Sequence, residues 1–344
     1  MSKPKRGHFG DARTKFFYEL TPDRILSAVE AWGLVPTGRC LQLASMENRV
    51  YQNEVELDEP ATHKTTVNDA HRVVKFYRPG RWSAEQIREE HQFLLDLEEA
   101  EIPVVAPLLT ANGETLVTLP ESGIFAALFP RRGGRAPDEF QDEDLQRLGR
   151  LLARLHAVGA TRPAKARLRL DVESYGAADL AYLLECEQMA ASVRDAYRQV
   201  VEAILAASSP WFAAASYQRI HGDCHRGNVL WGSAGPMLVD FDDMVMGPPA
   251  QDFWLLVPGR DSEALQRREV LLEAYSDMNT LDRSALRLVE PLRALRVVHF
   301  SAWIARRYED PAFLRVFPDF GTERYWYDEL ATLREIHAEL GEVF

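Results

Sequence analysis

The sequence predicts an α+β protein of two lobes: a small antiparallel sheet with one long helix on the N-terminal side, and a larger, mainly helical C-terminal lobe. Three observations carry this. Short β-branched and aromatic runs bounded by turn residues dominate up to Phe129, and helical periodicity dominates from Leu145 onward. A Gly- and Arg-rich stretch, Arg131-Arg132-Gly133-Gly134-Arg135, separates the two textures. At 344 residues the chain exceeds what one small core requires. The expected division is residues 1–15 as a frayed tail, 16–130 as the N-terminal lobe and 131–344 as the C-terminal lobe.

The elements follow in order. Thr21 is a helix cap and Pro22 suits the first helical position, with Ile25, Leu26, Val29 and Trp32 on one face and Gly33 as terminator. Residues 39–44 and 50–55 read as strands flanking Ser45–Arg49, residues 56–71 as a polar loop, and residues 72–77 as a third strand. Ser83-Ala84-Glu85-Gln86 matches a capping box and opens a long helix whose apolar face holds Ile87, Phe93, Leu94 and Leu97. Asn112-Gly113, between the runs 107–110 and 115–118, predicts a hairpin, and 124–129 predicts another strand. Beyond the linker, Leu145, Leu148, Leu151, Leu152 and Leu155 begin the helical part. Further helices are expected over 177–206, 262–276, 284–308 and 323–340.

Composition narrows the classes. Apolar residues make up 46% and charged residues 27%, which is ordinary for a globular protein. No apolar run approaches the roughly 20 residues that span a bilayer, and the basic, polar N-terminus has no secretory core. Cys40, Cys186 and Cys224 are scattered and odd in number, so neither a disulfide framework nor a zinc site is expected, and a reducing cytoplasm fits. The net charge of −12 argues against nucleic acid, whose binders rely on cationic contacts to phosphates. No coiled-coil repeat is present, and a monomer is expected.

One segment of the helical half does not read as helix. Ile220-His221-Gly222-Asp223-Cys224-His225-Arg226-Gly227-Asn228-Val229-Leu230-Trp231 is followed by a turn-rich stretch and by Met237-Leu238-Val239-Asp240-Phe241-Asp242-Asp243. Phosphoryl transfer needs a carboxylate to orient or deprotonate a hydroxyl, and hard oxygen ligands to hold magnesium against the phosphates of ATP. Asp223 and Asn228, with four residues between them, match the catalytic-loop spacing of kinases, with Asp223 as base and Asn228 as a magnesium ligand. Asp240, ending an apolar strand, is the second expected magnesium ligand. Cys224 and His225 lack partners at zinc spacing.

The segment from His221 to Asn228 resembles the motif of the aminoglycoside phosphotransferase and choline kinase superfamily, whose members share the protein-kinase fold. The stretches SMENRVYQ, VVKFYRPGRWSAEQIREEHQFL, FPRRGGR, HGDCHRGNVLW, VDFDD, GPPAQDFW and EPLRALRVVHFSAWIARR resemble more closely the bacterial stress response kinase A family, of the YihE/RdoA type. The resemblance implies that Lys75 contacts the α- and β-phosphates and that Glu90 pairs with it, with Glu89 as the rival. It implies that Ser45 and Asn48 lie in a phosphate-covering loop, one without glycine, and that Phe129 sits near the adenine-binding hinge. His221 is expected to buttress the loop and Asp252 to tie it, while Asp242 and Asp243 add charge near the metal or serve structure. The family implies transfer to Ser or Thr hydroxyls of a protein. The catalytic motif by itself equally admits a small-molecule kinase of aminoglycoside, choline or homoserine type. A non-catalytic nucleotide-binding module is disfavoured, because Lys75, Asp223, Asn228 and Asp240 are all present.

Overall fold

The computed structural model describes residues 17, 20–57 and 68–342. The tail expected over 1–15, and residues 58–67 of the loop expected over 56–71, lie outside the described residues. Helix α1 (Pro22–Glu30) starts at Thr21, whose hydroxyl accepts from Arg24 N at 3.4 Å. Strands β1 (Pro36–Leu43), β2 (Arg49–Val55) and β3 (His71–Phe76) precede α2 (Ala84–Glu99), and β4 (Val117–Thr118) and β5 (Phe125–Pro130) follow it. They form one antiparallel sheet in the order β1-β2-β3-β5-β4. Alternation along the strands turns Val74, Phe76, Ala126 and Leu128 onto α1. Lys75, between two of them, therefore faces the opposite side, where the cleft opens.

The capping box of α2 forms, with Gln86 N donating to Ser83 Oγ at 3.2 Å and Ser83 N donating to Gln86 Oε1 at 2.9 Å. Its C-terminal half leaves the sheet: Phe93, Leu94 and Leu97 join Leu145, Leu148, Leu152 and Leu155 of α3 (Asp142–Gly159) in a core that also holds Val229, Leu238, Phe241 and Phe253. The apolar face of α2 thus fixes the sheet relative to the segments that carry the motif.

Three sequence expectations need correction. The turn at Asn112-Gly113 forms, with Gly113 at φ +78 and Thr110 N donating to Glu114 O at 2.8 Å, but its arms do not pair as a hairpin. Both arms bond to β5 instead: Leu108 N donates to Leu128 O at 2.7 Å, and β4 pairs with Phe125 and Ala126. The helix expected over 177–206 is broken. A wide helical turn, Val172–Ala177, leads into α4 (Ala178–Glu185), and α5 (Arg194–Ala214) begins after a gap. In the gap Cys186 and Met189 are buried, and Gln188 O accepts from Trp326 Nε1 at 2.6 Å, so tertiary packing replaces the helical bonds. The helix expected over 284–308 starts as a tight turn, Arg283–Leu288, before α8 (Val289–Ala305). Pro291 falls in the first turn of α8, where its missing N–H costs nothing.

The motif segment runs through two small ladders. Strand β6 (Gln218–Ile220) pairs with β9 (Val245–Gly247), and β7 (Val229–Gly232) pairs with β8 (Gly235–Leu238). Helices α6 (Ala250–Leu256), α7 (Ser262–Ser276), α9 (Pro311–Val316) and α10 (Glu323–Glu342) complete the helical part. Leu292, Leu295 and Val298 of α8 pack with Val201 and Ile204 of α5 and with Trp326, Leu330 and Leu333 of α10. Among the described residues no helix is long and apolar enough to cross a membrane.

Candidate active site

The loop after β6 is held from behind. Gly222 has φ +85, and a Cβ there would lie 2.1 Å from Asp243 O, so only glycine fits. Asp252 of α6, fully buried, accepts from His221 N at 3.0 Å and Gly222 N at 2.9 Å and meets His156 Nε2 at 3.1 Å. His221 spans the gap between the two chemistry-bearing segments: Nε2 donates to Val239 O at 3.0 Å, and Nδ1 accepts from Asp223 N at 3.3 Å. Both contacts require the same neutral tautomer.

Asp223 emerges from this loop into the cleft. Its Oδ1 accepts from Arg296 Nη1 of α8 at 2.8 Å, and its Oδ2 lies 3.4 Å from His225 Nε2. Burial alone would raise the Asp223 carboxyl, but His225 and Arg296 outweigh it and hold it far below the usual carboxylate range. Asn228 Nδ2 donates to Asp223 O at 3.0 Å, closing the loop. Val239 N donates to Asn228 O at 3.0 Å, so the β7–β8 pairing sets Asp240 one residue beyond Asn228's cross-strand neighbour. Asp240 adopts the left-handed conformation, φ +62, and its side chain is 58% exposed. That conformation is disfavoured for a residue with a Cβ and turns the carboxylate out of the strand.

Lys75 meets three carboxylates: Asp242 at 3.0 Å, Asp240 at 3.5 Å and Glu90 at 3.7 Å. Asp242 is thus nearer than the partner expected from the sequence. Burial would raise the Asp242 carboxyl, but Arg81, Lys75 and Arg167 overcome it and hold the group well down. Glu90 is pushed up by burial against the opposing pull of Lys75 and Arg167, the latter donating to it at 2.8 Å. Glu89 does different work: it accepts from the backbone N–H groups of Lys165, Ala166 and Arg167 at 2.6, 2.8 and 2.7 Å. The choice between Glu89 and Glu90 as neighbour of Lys75 therefore falls to Glu90. Arg81 bridges Asp242 and Asp243.

The β1–β2 loop covers one side of a cleft of about 770 Å³. Ser45 lines it; Asn48 is buried, with Oδ1 accepting from Arg78 N at 3.0 Å. Between them Glu47 is clamped by residues distant in sequence. Trp303 Nε1 donates to it at 2.6 Å, Arg307 reaches both oxygens at 2.7 and 2.8 Å, and Arg78 Nε lies at 2.9 Å. Burial would raise the Glu47 carboxyl, but Arg307, Arg81 and Arg78 pull it down to about 2. Burial, aided by repulsion from Arg81 and Arg78, lowers Arg307 to about 10 against the pull of Glu47; both partners remain charged at neutral pH. At the far end, Phe129 and Pro130 of β5 lie with Val50, Val73, Leu230 and Val239 along the cleft, and the Phe129 ring meets His91 edge-on at 6.1 Å.

Asp223, Asp240, Lys75, Glu90, Ser45, Asn48 and Phe129 thus line one cleft, with Asn228 immediately behind Asp223 and Asp240. Sequence reasoning missed Arg296, Glu47, Arg81 and Arg167. A signal for part of this lay in α8 and the turn that follows it, where Arg296, His299, Trp303 and Arg307 recur at helical spacing.

A family model described as the phosphotransferase enzyme family matches residues 47–289. The serine/threonine protein kinase RdoA of Salmonella typhimurium (strain LT2) is 38% identical over 321 residues, which is 93% of each chain. Stress response kinase A of Escherichia coli (strain K12) is 37% identical with the same coverage. Among solved structures, amicoumacin kinase hAmiN, in complex with AMP-PNP, Ca2+ and Ami, superposes with a TM-score of 0.72 at 18% identity, over 95% of this chain and 96% of that one. The microcompartment-associated aminopropanol kinase gives 0.67 at 19% identity over 93% and 97%. These structures share the protein-kinase-like fold of sheet lobe and helical lobe. The kinase described here belongs to the phosphotransferase enzyme family and, within it, to the stress response kinase A family.

Proposed function

We propose that the chain is a cytoplasmic, ATP- and magnesium-dependent protein kinase that phosphorylates Ser or Thr hydroxyls. The observation that carries this is the convergence, in one cleft, of Asp223 with Asn228 beside it, Asp240 across the β7–β8 ladder and Lys75 on the facing sheet. The reading divides the chain into a nucleotide-binding lobe over residues 16–130 and a catalytic and substrate lobe over 131–344. The similarity to RdoA, a serine/threonine protein kinase, supports a protein acceptor.

The donor set suits magnesium. Asp240 offers an exposed carboxylate and Asn228 an amide oxygen, both hard ligands, and magnesium takes the rest from phosphates and water. When bound, magnesium neutralises charge on the transferring phosphoryl group. The apolar walls Val50, Val73, Leu230 and Val239 suit adenine, with Phe129 at the hinge, while Lys75, held by Glu90 and Asp242, supplies the cation for the phosphate chain. Ser45 and Asn48 belong to the loop that covers those phosphates.

Asp223 aligns the acceptor hydroxyl. The bond from the γ-phosphorus to the bridging oxygen breaks, a bond to the acceptor oxygen forms, and the proton passes to Asp223 and then to solvent. Arg296 and His225 keep Asp223 ionised and a weak base, so it orients the hydroxyl and takes the proton late, when the oxygen has become acidic.

The test is incubation with γ-labelled ATP and magnesium, alone, with a generic protein acceptor, and with small alcohols and aminoglycosides. Label on protein that is absent in Asp223→Ala supports the reading. Label confined to a small acceptor moves the assignment to the small-molecule kinases.

A further inference from the structure

We propose that Arg296 and His225 make the acceptor end of the cleft an anion-recognising subsite, so that this kinase selects Ser or Thr hydroxyls with a carboxylate neighbour in the polypeptide; this rests on the phosphotransfer reading above.

Arg296 and His225 grip Asp223 from its two oxygens, at 2.8 and 3.4 Å, and both line the cleft with side chains 38% and 40% exposed. A guanidinium carries five N–H donors in a planar fork. The contact with Asp223 uses one of the Arg296 donors, and the exposed remainder can meet a second carboxylate from the solvent side.

The exposed carboxylate of Asp240 is assigned to magnesium, and the carboxylates flanking Arg296 are already paired. Asp179 is buried, with one oxygen 2.7 Å from His299 Nδ1 and the other accepting from Arg306 at 2.8 Å. Asp243 is bridged by Arg81, and Asp223 by Arg296. Asp179, Asp223 and Asp243 thus each already face a cation. A substrate ammonium would displace one of these and approach Arg296 as well, whereas a substrate carboxylate would meet exposed donors. Phe300, one helical turn beyond Arg296, is 40% exposed and stacks on Trp303 at 5.4 Å. It gives a flanking residue of a polypeptide an apolar shelf beside the hydroxyl.

Specificity and turnover are coupled here. A carboxylate next to the acceptor hydroxyl shares the donors of Arg296 and His225, which frees lone pairs of Asp223 to accept the hydroxyl proton. A neutral or basic neighbour leaves both donors on Asp223.

The full-length protein, γ-labelled ATP and magnesium are used with three peptides of equal length, differing only in whether Glu, Ala or Lys flanks a single Ser. ADP release is followed beside peptide label. The wild type should favour the Glu peptide over the Lys peptide by about ten- to hundredfold in kcat/KM, the range of one hydrogen-bonded charge contact. In Arg296→Gln this ratio should fall towards one, and Arg296→Lys should restore part of it; a nucleotide-induced rise in melting temperature checks that each variant is folded. Equal kcat/KM for the three peptides or an undiminished ratio in Arg296→Gln would overturn the inference while leaving the phosphotransfer reading intact; a free hydroxy acid labelled in preference to any peptide would overturn the inference and the protein acceptor with it, phosphotransfer alone remaining. Absence of both ADP release and label with every acceptor would overturn the kinase reading and this inference with it.

Discussion

Replacing Glu47 by Gln removes the charge at the centre of the clamp between the β1–β2 loop and α8. Its partners Arg78 and Arg307 are nearly fully buried and would lose a charge-assisted contact where water cannot replace it, although Arg78 keeps Asp310 at 3.2 Å. Two routes give the same size of loss. Guanidinium attraction brings the Glu47 carboxyl from 4.5 down to about 2, which corresponds to about 3 kcal/mol. Removing one partner of a buried pair costs about 3–5 kcal/mol. Trp303 and Arg307 lie 256 and 260 residues from Glu47, so the loss falls on loop closure and not on the ladder of the sheet. A loss of about 3 kcal/mol lowers the latched-to-open ratio of the loop roughly 150-fold. If nucleotide binds the latched form, its Kd rises about threefold when the wild-type ratio is about 100, and about seventyfold when that ratio is about one. Amide hydrogen exchange over residues 45–49 reads the opening directly and, for a wild-type ratio of about 100 or more, should accelerate on the order of 100-fold. Exchange within about twofold of wild type in Glu47→Gln, together with an unchanged nucleotide Kd, would refute the clamp. The companion change Arg307→Met should recover part of the loss, because it removes the buried guanidinium that had lost its contact with Glu47. A carboxyl lowered by folding stabilises fully above its ordinary value. The clamp should therefore hold through neutral pH and weaken only as pH falls from 4.5 towards 2.

The remaining predictions concern the cleft and its support. Asp223→Ala should reduce turnover by about 10²–10⁴-fold while nucleotide Kd, measured by calorimetry, stays close to wild type; near-normal turnover would exclude Asp223 from the reaction. Asp240→Ala should remove most of the magnesium dependence of nucleotide binding, and unchanged magnesium titrations would count against its metal role. Asp252→Ala strands the N–H groups of His221 and Gly222 and the ring of His156, and should cost about 3–6 kcal/mol in urea denaturation; a loss below about 1 kcal/mol would mean that the loop is held by other contacts.

The sequence by itself determined what local patterns encode. The capping box at Ser83 and Gln86 and the alternation in β3 were legible because they depend on residues a few positions apart. The segment carrying Asp223, Asn228 and Asp240 was legible for the same reason: one loop and one tight ladder bring the three together. The break at 186–193 was not, because buried Cys186 and Met189 and the bond from Trp326 override helical periodicity there. Nor was the competition of two arms for β5, which turned an expected hairpin into an edge pairing. Only the tertiary structure separated Glu89, spent on backbone N–H groups, from Glu90 beside Lys75, since adjacent residues of one helix face different neighbours. It alone brought Arg296 to Asp223 across 73 positions and Trp303 and Arg307 to Glu47 across more than 250. Charge pairing over such distances leaves no periodicity in the chain. It exists only once the cores on either side have closed and set α8 against the cleft.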